Sequence, residues 1–447
     1  MALRELYVFA RMEEGFVPAG LLALTETAQR VEASRFAYGT RYLERKKRFE
    51  IDPVSLSLAG DIKGIQLVPA NRLAQFGGIR DAAPDAWGRR LIEARHRVPA
   101  NSLPESVYLL EAGSNRVGAL DVRAALDTPE SVGGGTIHSL GYLLEAAERV
   151  ERGENIPAQL TALLSDTAGA GGARPKATVR DDQGLLWLAK FPSISDTFDV
   201  PTAEYATLQL AALCGISVPA VRLENLGGRA VLLVRRFDRY WGNAEDLPPA
   251  TVLHETLPGE MLAENRLPFV SGLTMLGCDE YDSPAKSYAD LAHAVRRYAH
   301  TSVIRQNTRE LFARMVFNIF VSNDDDHLRN HGFVRDPRLS GWRLSPLYDV
   351  VPRPGVAYER FLHLDIGTQG KLATLDNALS RYAVFTLDRP DAIGVIREVW
   401  SIIRQWRMHF EGWHITGRVI DQVAPAIREL EDIASPALMR EIRKAEE

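Results

Sequence analysis

Asp325 and Asn330 stand in the segment Ser322-Asn-Asp-Asp-Asp-His-Leu-Arg-Asn330, which carries the pattern D-x-x-x-x-N. That pattern suits phosphoryl transfer. The carboxylate can take a proton from an attacking hydroxyl, and the asparagine amide can hold a divalent cation. Downstream, Leu344-Ser-Pro-Leu-Tyr-Asp349 offers a further carboxylate of the kind that binds Mg²⁺ against nucleotide phosphates. Upstream, Gly169, Gly171 and Gly172 precede Lys176, and small residues let backbone N–H groups approach phosphates. Lys190 closes the apolar run Leu185-Leu-Trp-Leu-Ala, where an unpaired ammonium is costly to bury. Glu204, in the following helix-forming stretch, is its candidate partner. A strand lysine held by a helix glutamate grips the α- and β-phosphates in enzymes of this chemistry.

Each feature also has a plainer reading. Three adjacent carboxylates, Asp324 to Asp326, repel one another and need solvent, a cation or partners, so alone they read as an exposed acidic turn. A glycine run alone reads as a flexible loop. It is not a Walker A loop, because Pro175 stands before the lysine and no G-K-[ST] follows. Lys190 could reach water from a sheet edge, and Asp349 could cap a helix before Val350. Together with Asp325, Asn330 and Asp349, the functional reading of Lys190 is preferred. His327 and His331 have i, i+4 spacing, which would suit zinc on a helix. Gly332 and the strand after it argue against that helix, so His327 is expected to order the loop by hydrogen bonds. Phe237, in Arg235-Arg-Phe-Asp-Arg239 at the charged end of an apolar strand, is placed where a nucleotide base could stack.

The elements needed to position these groups are legible in part. Leu6–Ala10, Phe36–Thr40 and Arg48–Asp52 read as strands, and Pro84-Asp-Ala-Trp opens a helix. Residues 128–136 read as a linker, and 137–164 as one or two amphipathic helices. Ala177–Val179 and Leu185–Phe191 form a hairpin around Asp181-Asp-Gln-Gly. Ala203–Cys214 is helical and stops at Gly215, and Ala230–Phe237 is a buried strand. Past about residue 245 the pattern is mainly helical, with helices expected at 287–300, 306–321, 390–411 and 413–434. Short strands near 331–335 and 342–345 make a hairpin that would bring Asn330 and Asp349 close.

The chain has 447 residues, 46% hydrophobic and 25% charged, and a net charge of −5. That is the mix of a globular protein, and it announces no general attraction to nucleic acid or anionic membrane. Two cysteines, Cys214 and Cys278, cannot build a disulfide framework or a cysteine zinc site. The N-terminal residues have no apolar signal core and no run approaches a membrane span, so a cytoplasmic location is expected.

Taken together, these residues resemble the HipA family of bacterial serine/threonine protein kinases, the toxin halves of HipBA toxin–antitoxin modules. The resemblance is carried by Gly171-Gly-Ala-Arg-Pro-Lys176, Leu188-Ala-Lys190-Phe-Pro, Ala203-Glu204-Tyr, Val234-Arg-Arg-Phe-Asp-Arg239, Ser271–Gly277, Ser287–Ala292, Asn323–Asn330 and Leu344–Asp349. It implies an α+β, bilobal protein-kinase-like fold related to the phosphatidylinositol 3/4-kinases. On that fold, 1–125 is an N-terminal α+β subdomain and 137–240 a kinase N-lobe with the glycine-rich loop. Residues 241–447 form a mainly helical C-lobe with the catalytic loop and Mg-binding motif.

It further implies that Asp325 is the catalytic base, with His327 beside it, and that Asn330 and Asp349 hold Mg²⁺. ATP would be bound by Gly169, Ala170, Gly171, Gly172, Lys176, Lys190, Glu204, Arg235, Phe237 and Asn330. The substrate would be an aminoacyl-tRNA synthetase, glutamyl-tRNA synthetase for the best-known type, so that translation stalls and dormancy follows. A HipB-like helix-turn-helix antitoxin would be the partner, with DNA reached only through it. Two positions depart from the family pattern. Gly169 takes the place of the autophosphorylated serine, with Ser165 and Thr167 the nearest hydroxyls. Arg235 stands where an acid is common.

Two other functions fit parts of the sequence. One is a degenerate, non-catalytic module of the same fold that binds nucleotide or an antitoxin. The other is a metal-dependent phosphohydrolase built on Asp324–His327, which would not need Lys190.

Overall fold

The computed structural model describes residues 1–131, 135–157, 160, 169, 171–355 and 357–444. The chain forms two compact units. The first comprises 1–195, 224–278 and 334–338; the second comprises 196–223, 279–333 and 339–447.

In the first unit, Ala2–Met12, Gly15–Glu26, Val31–Tyr38 and Leu120–Arg123 make an antiparallel sheet with Ala2–Met12 and Gly15–Glu26 at its centre. Leu6, Val8, Ala10, Leu22, Leu24 and Phe36 are buried in its core. The strand Gly15–Glu26 has no clear signature in sequence, because Pro18 and Gly20 interrupt it. Pro18 sits at a bulge, opposite Phe9, where a missing N–H is tolerated. Gly20 is needed for close approach: a Cβ there would fall 2.4 Å from the Phe36 ring.

The expected strand Arg48–Asp52 is not formed. Phe49 and Ile51 are buried, but their backbone is satisfied by tyrosine hydroxyls rather than by a neighbouring strand. Tyr42 Oη donates to the Phe49 carbonyl at 2.6 Å, and the Ile51 N–H donates to Tyr38 Oη at 3.0 Å. Alternating burial was real; the pairing partner was not a strand.

A second sheet has the order Gly135–Thr136, Lys176–Arg180, Leu186–Lys190, Arg229–Arg235, Val221–Leu226, all in this unit but for 221–223. One face, with Ala177, Val179, Trp187, Ala189, Val231 and Leu233, packs on Leu140, Leu143 and Leu144 of the helix Leu140–Glu151 and on Trp87. Strand alternation therefore turns Lys176, Thr178 and Lys190 to the opposite face.

The second unit is mainly helical. Val200–Leu213 begins at Asp199, whose carboxylate accepts the Thr202 N–H, and stops at Gly215, with φ 75°. Tyr288–Tyr298 opens with a capping box between Ser287 and Asp290. Ile304–Val321 is buried throughout from Leu311 to Val321. The single helix expected over 390–411 is two, Arg389–Ile403 and Trp406–Gly412. The helix expected over 413–434 is broken into Gly417–Val423, a 3₁₀ turn at Ala424–Ala426 and Leu430–Ile433. Pro425 lacks the N–H that would continue it. Among the described residues, no helix is long and apolar enough to cross a membrane.

Candidate active site

The apolar helix Ile304–Val321 ends at Ser322, which adopts a left-handed conformation with φ 50°. Its hydroxyl donates to the Ala426 carbonyl at 2.6 Å and accepts from Arg360 Nη1 at 2.5 Å. The chain then runs without regular structure through Asn323–His327 and makes a 3₁₀ turn at Leu328–Asn330.

The three adjacent carboxylates find three different solutions to their mutual repulsion. Asp324 is exposed and pairs with Arg353 Nε at 2.9 Å. Burial raises its pKa from the ordinary value, and Arg353 opposes that shift. Asp325 presents its side chain to solvent, 60% exposed, with His327 Nε2 at 3.9 Å. Asp326 is buried, 1% exposed. It accepts from Tyr288 Oη at 2.6 Å and from the His363 N–H at 2.7 Å. Burial pushes the Asp326 carboxyl up to about 7, with the Tyr288 and backbone hydrogen bonds pulling the other way.

Asn330 Nδ2 donates to the Asp325 carbonyl at 2.8 Å, so this asparagine braces the residue that carries the exposed carboxylate. His331 is buried against Tyr288, ring centroids 5.4 Å apart, with Nε2 3.2 Å from the Asp326 carbonyl. Burial pushes it down to about 3, which keeps it neutral. Residues 328–330 form a 3₁₀ turn rather than an α-helix, so His327 and His331 do not form an i, i+4 helical pair. His327 is half-buried and lies across from the His363 ring at 5.8 Å.

Asp349 is carried beside this loop by local contacts. The Ser345 N–H donates to the Gly332 carbonyl at 2.9 Å. Tyr348 Oη donates to the Arg329 carbonyl at 2.7 Å, tying the residue before Asp349 to the residue before Asn330. Asp349 itself has φ 54°. No helix starts at Val350, since 350–355 are irregular, so the helix-cap reading of Asp349 does not apply.

The donor chemistry of Asn330 and Asp349 fits a small hard cation. With its amide nitrogen committed to Asp325, Asn330 keeps its oxygen for a ligand, and Asp349 adds a carboxylate. Among the described residues no group of three or more His, Cys, Asp or Glu side chains could hold a metal. Two oxygen ligands, completed by water and phosphate, are what Mg²⁺ ordinarily takes from a protein.

The upstream candidates lie in the first unit, except Glu204, which is buried on the helix Val200–Leu213 of the second. Ala170, Ser165 and Thr167 lie outside the described residues. Gly169 has no room for a side chain: a Cβ would meet Arg116 Cα at 2.7 Å. A Cβ on Gly171 would meet Asp85 Oδ2 at 3.0 Å. The Gly172 N–H donates to Asp85 Oδ2 at 2.5 Å, and Gly172 has φ 108°. Lys176 Nζ donates to the Gly171 carbonyl, and the Lys176 carbonyl accepts from Trp87 Nε1 at 2.8 Å.

Lys176 and Lys190 stand directly opposite each other on neighbouring strands, 3% and 8% exposed. Both side chains project from the same face of the sheet. Arg235 is held by the Glu255 and Thr256 carbonyls, and burial lowers its pKa. Phe237 packs on Phe269, centroids 6.0 Å apart, at a cluster with Tyr240, Leu253 and Leu267. Between them, Arg236 and Arg239 clamp the buried Asp238 and hold its pKa well below the carboxylate range, against the opposing effect of burial.

Sequence reasoning did not single out Tyr288 or His363 as partners of the loop. Tyr288 had a local signal, its place just inside a capping box at Ser287; His363 contributes a backbone N–H and had none.

Comparison with known proteins agrees with this architecture. A solved HipA from Shewanella oneidensis MR-1, in complex with HipB and its operator DNA, matches 98% of the chain and 97% of its own. The TM-score is 0.65 at 16% identity. The fold is therefore the α+β protein-kinase-like fold of HipA. Residues 168–407 match the HipA-like C-terminal domain, and the chain belongs to that family.

Two sequence relatives carry the name "Putative kinase". One, from Haemophilus influenzae, is 26% identical over 171 residues, 36% of this chain and 45% of the relative. The other, Y4dM of Sinorhizobium fredii, is 23% identical over 282 residues, 59% of this chain and 61% of the relative. The chain thus spans less than two thirds of the length of these relatives.

Proposed function

We propose that this chain is an ATP- and Mg²⁺-dependent serine/threonine protein kinase of the HipA type, a toxin acting in the cytoplasm. The observation that carries the reading is the loop Asn323–Asn330. It turns Asp325 to solvent, pairs the exposed Asp324 with Arg353, buries Asp326, and braces Asp325's own carbonyl with Asn330. An exposed, braced carboxylate suits a general base that must meet an incoming hydroxyl.

Asp325 takes the hydroxyl proton, with His327 beside it. Asn330 and Asp349 hold Mg²⁺, which would supply neutralisation of the charge that develops on the phosphates. Lys176 and Lys190 bind phosphates under the loop Gly169, Ala170, Gly171, Gly172. Glu204, Arg235, Phe237 and Asn330 complete the ATP-binding set. The functional division is 1–125, 137–240 and 241–447. The substrate is an aminoacyl-tRNA synthetase, glutamyl-tRNA synthetase by resemblance, and phosphorylation stalls translation and promotes dormancy. A HipB-like helix-turn-helix antitoxin binds the kinase, and DNA is met only through that partner.

The test is transfer from γ-labelled ATP with Mg²⁺ into a panel of purified aminoacyl-tRNA synthetases and into the chain itself. Label in one synthetase supports the reading and identifies the substrate. No label anywhere, with Mg·ATP still raising the melting temperature, replaces it with the non-catalytic binding module. Phosphate release from model esters without ATP, unaffected by Lys190→Ala, replaces it with a phosphohydrolase.

A further inference from the structure

The geometry points to Asp326 as a positioning residue of the phosphoryl-transfer site, acting with Tyr288 through a directed hydrogen-bond chain that aims Asp325; this rests on the kinase reading. The direction of the chain follows from which groups can donate. Asn323 Nδ2 donates to Asn318 Oδ1 at 3.1 Å, so the Asn318 amide presents its nitrogen to Tyr288 Oη at 2.9 Å. Tyr288 Oη, already accepting, gives its own proton to Asp326 Oδ2 at 2.6 Å. The other Asp326 oxygen accepts the His363 N–H at 2.7 Å. Both oxygens of a buried carboxylate are therefore aimed, and the chain begins and ends within the loop it holds.

The consequence falls on the neighbour. Asp326 is fixed inward from the helix Tyr288–Tyr298, while Asn330 Nδ2 fixes the Asp325 carbonyl from the other side. With its carbonyl and the next side chain both held, Asp325 is restrained on its C-terminal side while its own side chain stays exposed. Asn318 lies within the stretch Leu311–Val321, buried throughout, so the brace is anchored in a buried helix. His327 meets Asp325 and His363 at longer range, 3.9 Å from the carboxylate and 5.8 Å between rings. The brace ties the loop to buried helices, which is how a reacting group is held within the tolerance that proximity effects demand.

The experiment compares wild type, Tyr288→Phe and Asn318→Ala by steady-state phosphoryl transfer and by calorimetric Mg·ATP binding. Tyr288→Phe is expected to lower kcat on the order of 10- to 100-fold, with KM for ATP and Mg·ATP affinity within about twofold of wild type. Asn318→Ala leaves the Tyr288–Asp326 bond in place without its support. It is expected to lower kcat by less, again with binding unchanged. Hydrogen exchange in both variants should rise at 323–330 and stay unchanged in the core of Ile304–Val321. Wild-type kcat in Tyr288→Phe overturns the proposal, as does a loss shared equally by kcat and Mg·ATP affinity. If Tyr288→Phe does not fold, wild-type kcat and exchange in Asn318→Ala overturn it alone. Absence of transfer in wild type removes the kinase reading and this proposal with it. Transfer in wild type with no effect in either variant removes only the positioning role.

Discussion

Ser322 is where the buried helix hands the chain to the loop Asn323–Asn330, and its backbone makes an unusual prediction about small residues. With φ at 50°, an L-residue is strained by about 1–2 kcal/mol relative to the right-handed conformation, and glycine is not. The side chain offsets part of that through two hydrogen bonds, to the Ala426 carbonyl and from Arg360 Nη1. Ser322→Ala loses both, but Arg360 Nη1 still meets the Ala426 carbonyl at 3.3 Å, so no buried group is orphaned. At about 1 kcal/mol per bond the loss is about 2 kcal/mol. Ser322→Gly loses the same bonds, is relieved of the strain, and gives back roughly 0.5–1 kcal/mol through the looser unfolded chain.

Glycine should therefore be the more stable replacement by roughly 0.5–1 kcal/mol, the reverse of the order inside a helix, where alanine leads by about 1 kcal/mol. The assay is thermal and urea unfolding of the two variants in one buffer, where the difference amounts to about 0.5–1 °C for a chain of 447 residues. An alanine variant that melts at or above the glycine variant would refute the reasoning.

Asp349 also occupies the left-handed region, which Asn and Asp tolerate better than other side chains. Asp349→Asn should melt close to wild type and Asp349→Ala lower, while both weaken Mg·ATP binding; undiminished binding by calorimetry would remove Asp349 as a cation ligand. Lys190→Met should abolish the rise in melting temperature that Mg·ATP gives wild type, about 2.7 kcal/mol of stabilisation at a hundredfold excess over Kd; a retained rise would take Lys190 out of the phosphate site. Asp326 binds its proton more tightly folded than unfolded, since burial raises it to about 7 from 3.8. Its contribution to stability is therefore present at acidic pH and lost as pH rises through about 7. Wild type should lose stability between about pH 4 and pH 7 with a component absent in Asp326→Asn, and identical slopes would contradict the assignment.

How much of this was legible in sequence depends on whether the signal was local. The helix Ile304–Val321 and the loop after it were readable because an apolar run and a fixed D-x-x-x-x-N spacing lie within one stretch. The hairpin Lys176–Lys190 was readable from alternation around a turn whose Asp181 accepts the Gln183 and Leu185 N–H groups. Gly15–Glu26 was hidden because its proline and glycine serve a bulge and a close approach to Phe36, both set by neighbouring strands. Arg48–Asp52 had the right alternation, but tyrosine hydroxyls from another segment took the place of a partner strand. At the site, three adjacent acids announced that each needed an answer. Which acid was buried was decided by Tyr288 and His363, 38 and 37 residues away along the chain, and no local pattern records that.

The most direct test of the central role given to Asp325 is single-turnover transfer from γ-labelled ATP, with melting temperature and Mg·ATP affinity measured on the same preparations of wild type and Asp325→Asn. The Asp325 side chain is exposed, with His327 Nε2 at 3.9 Å, so the variant should fold and bind nucleotide as wild type does. Loss of the general base is expected to slow transfer by on the order of 10²- to 10⁴-fold. Transfer by Asp325→Asn at the wild-type rate, with binding intact, would contradict the assignment of Asp325 as the base.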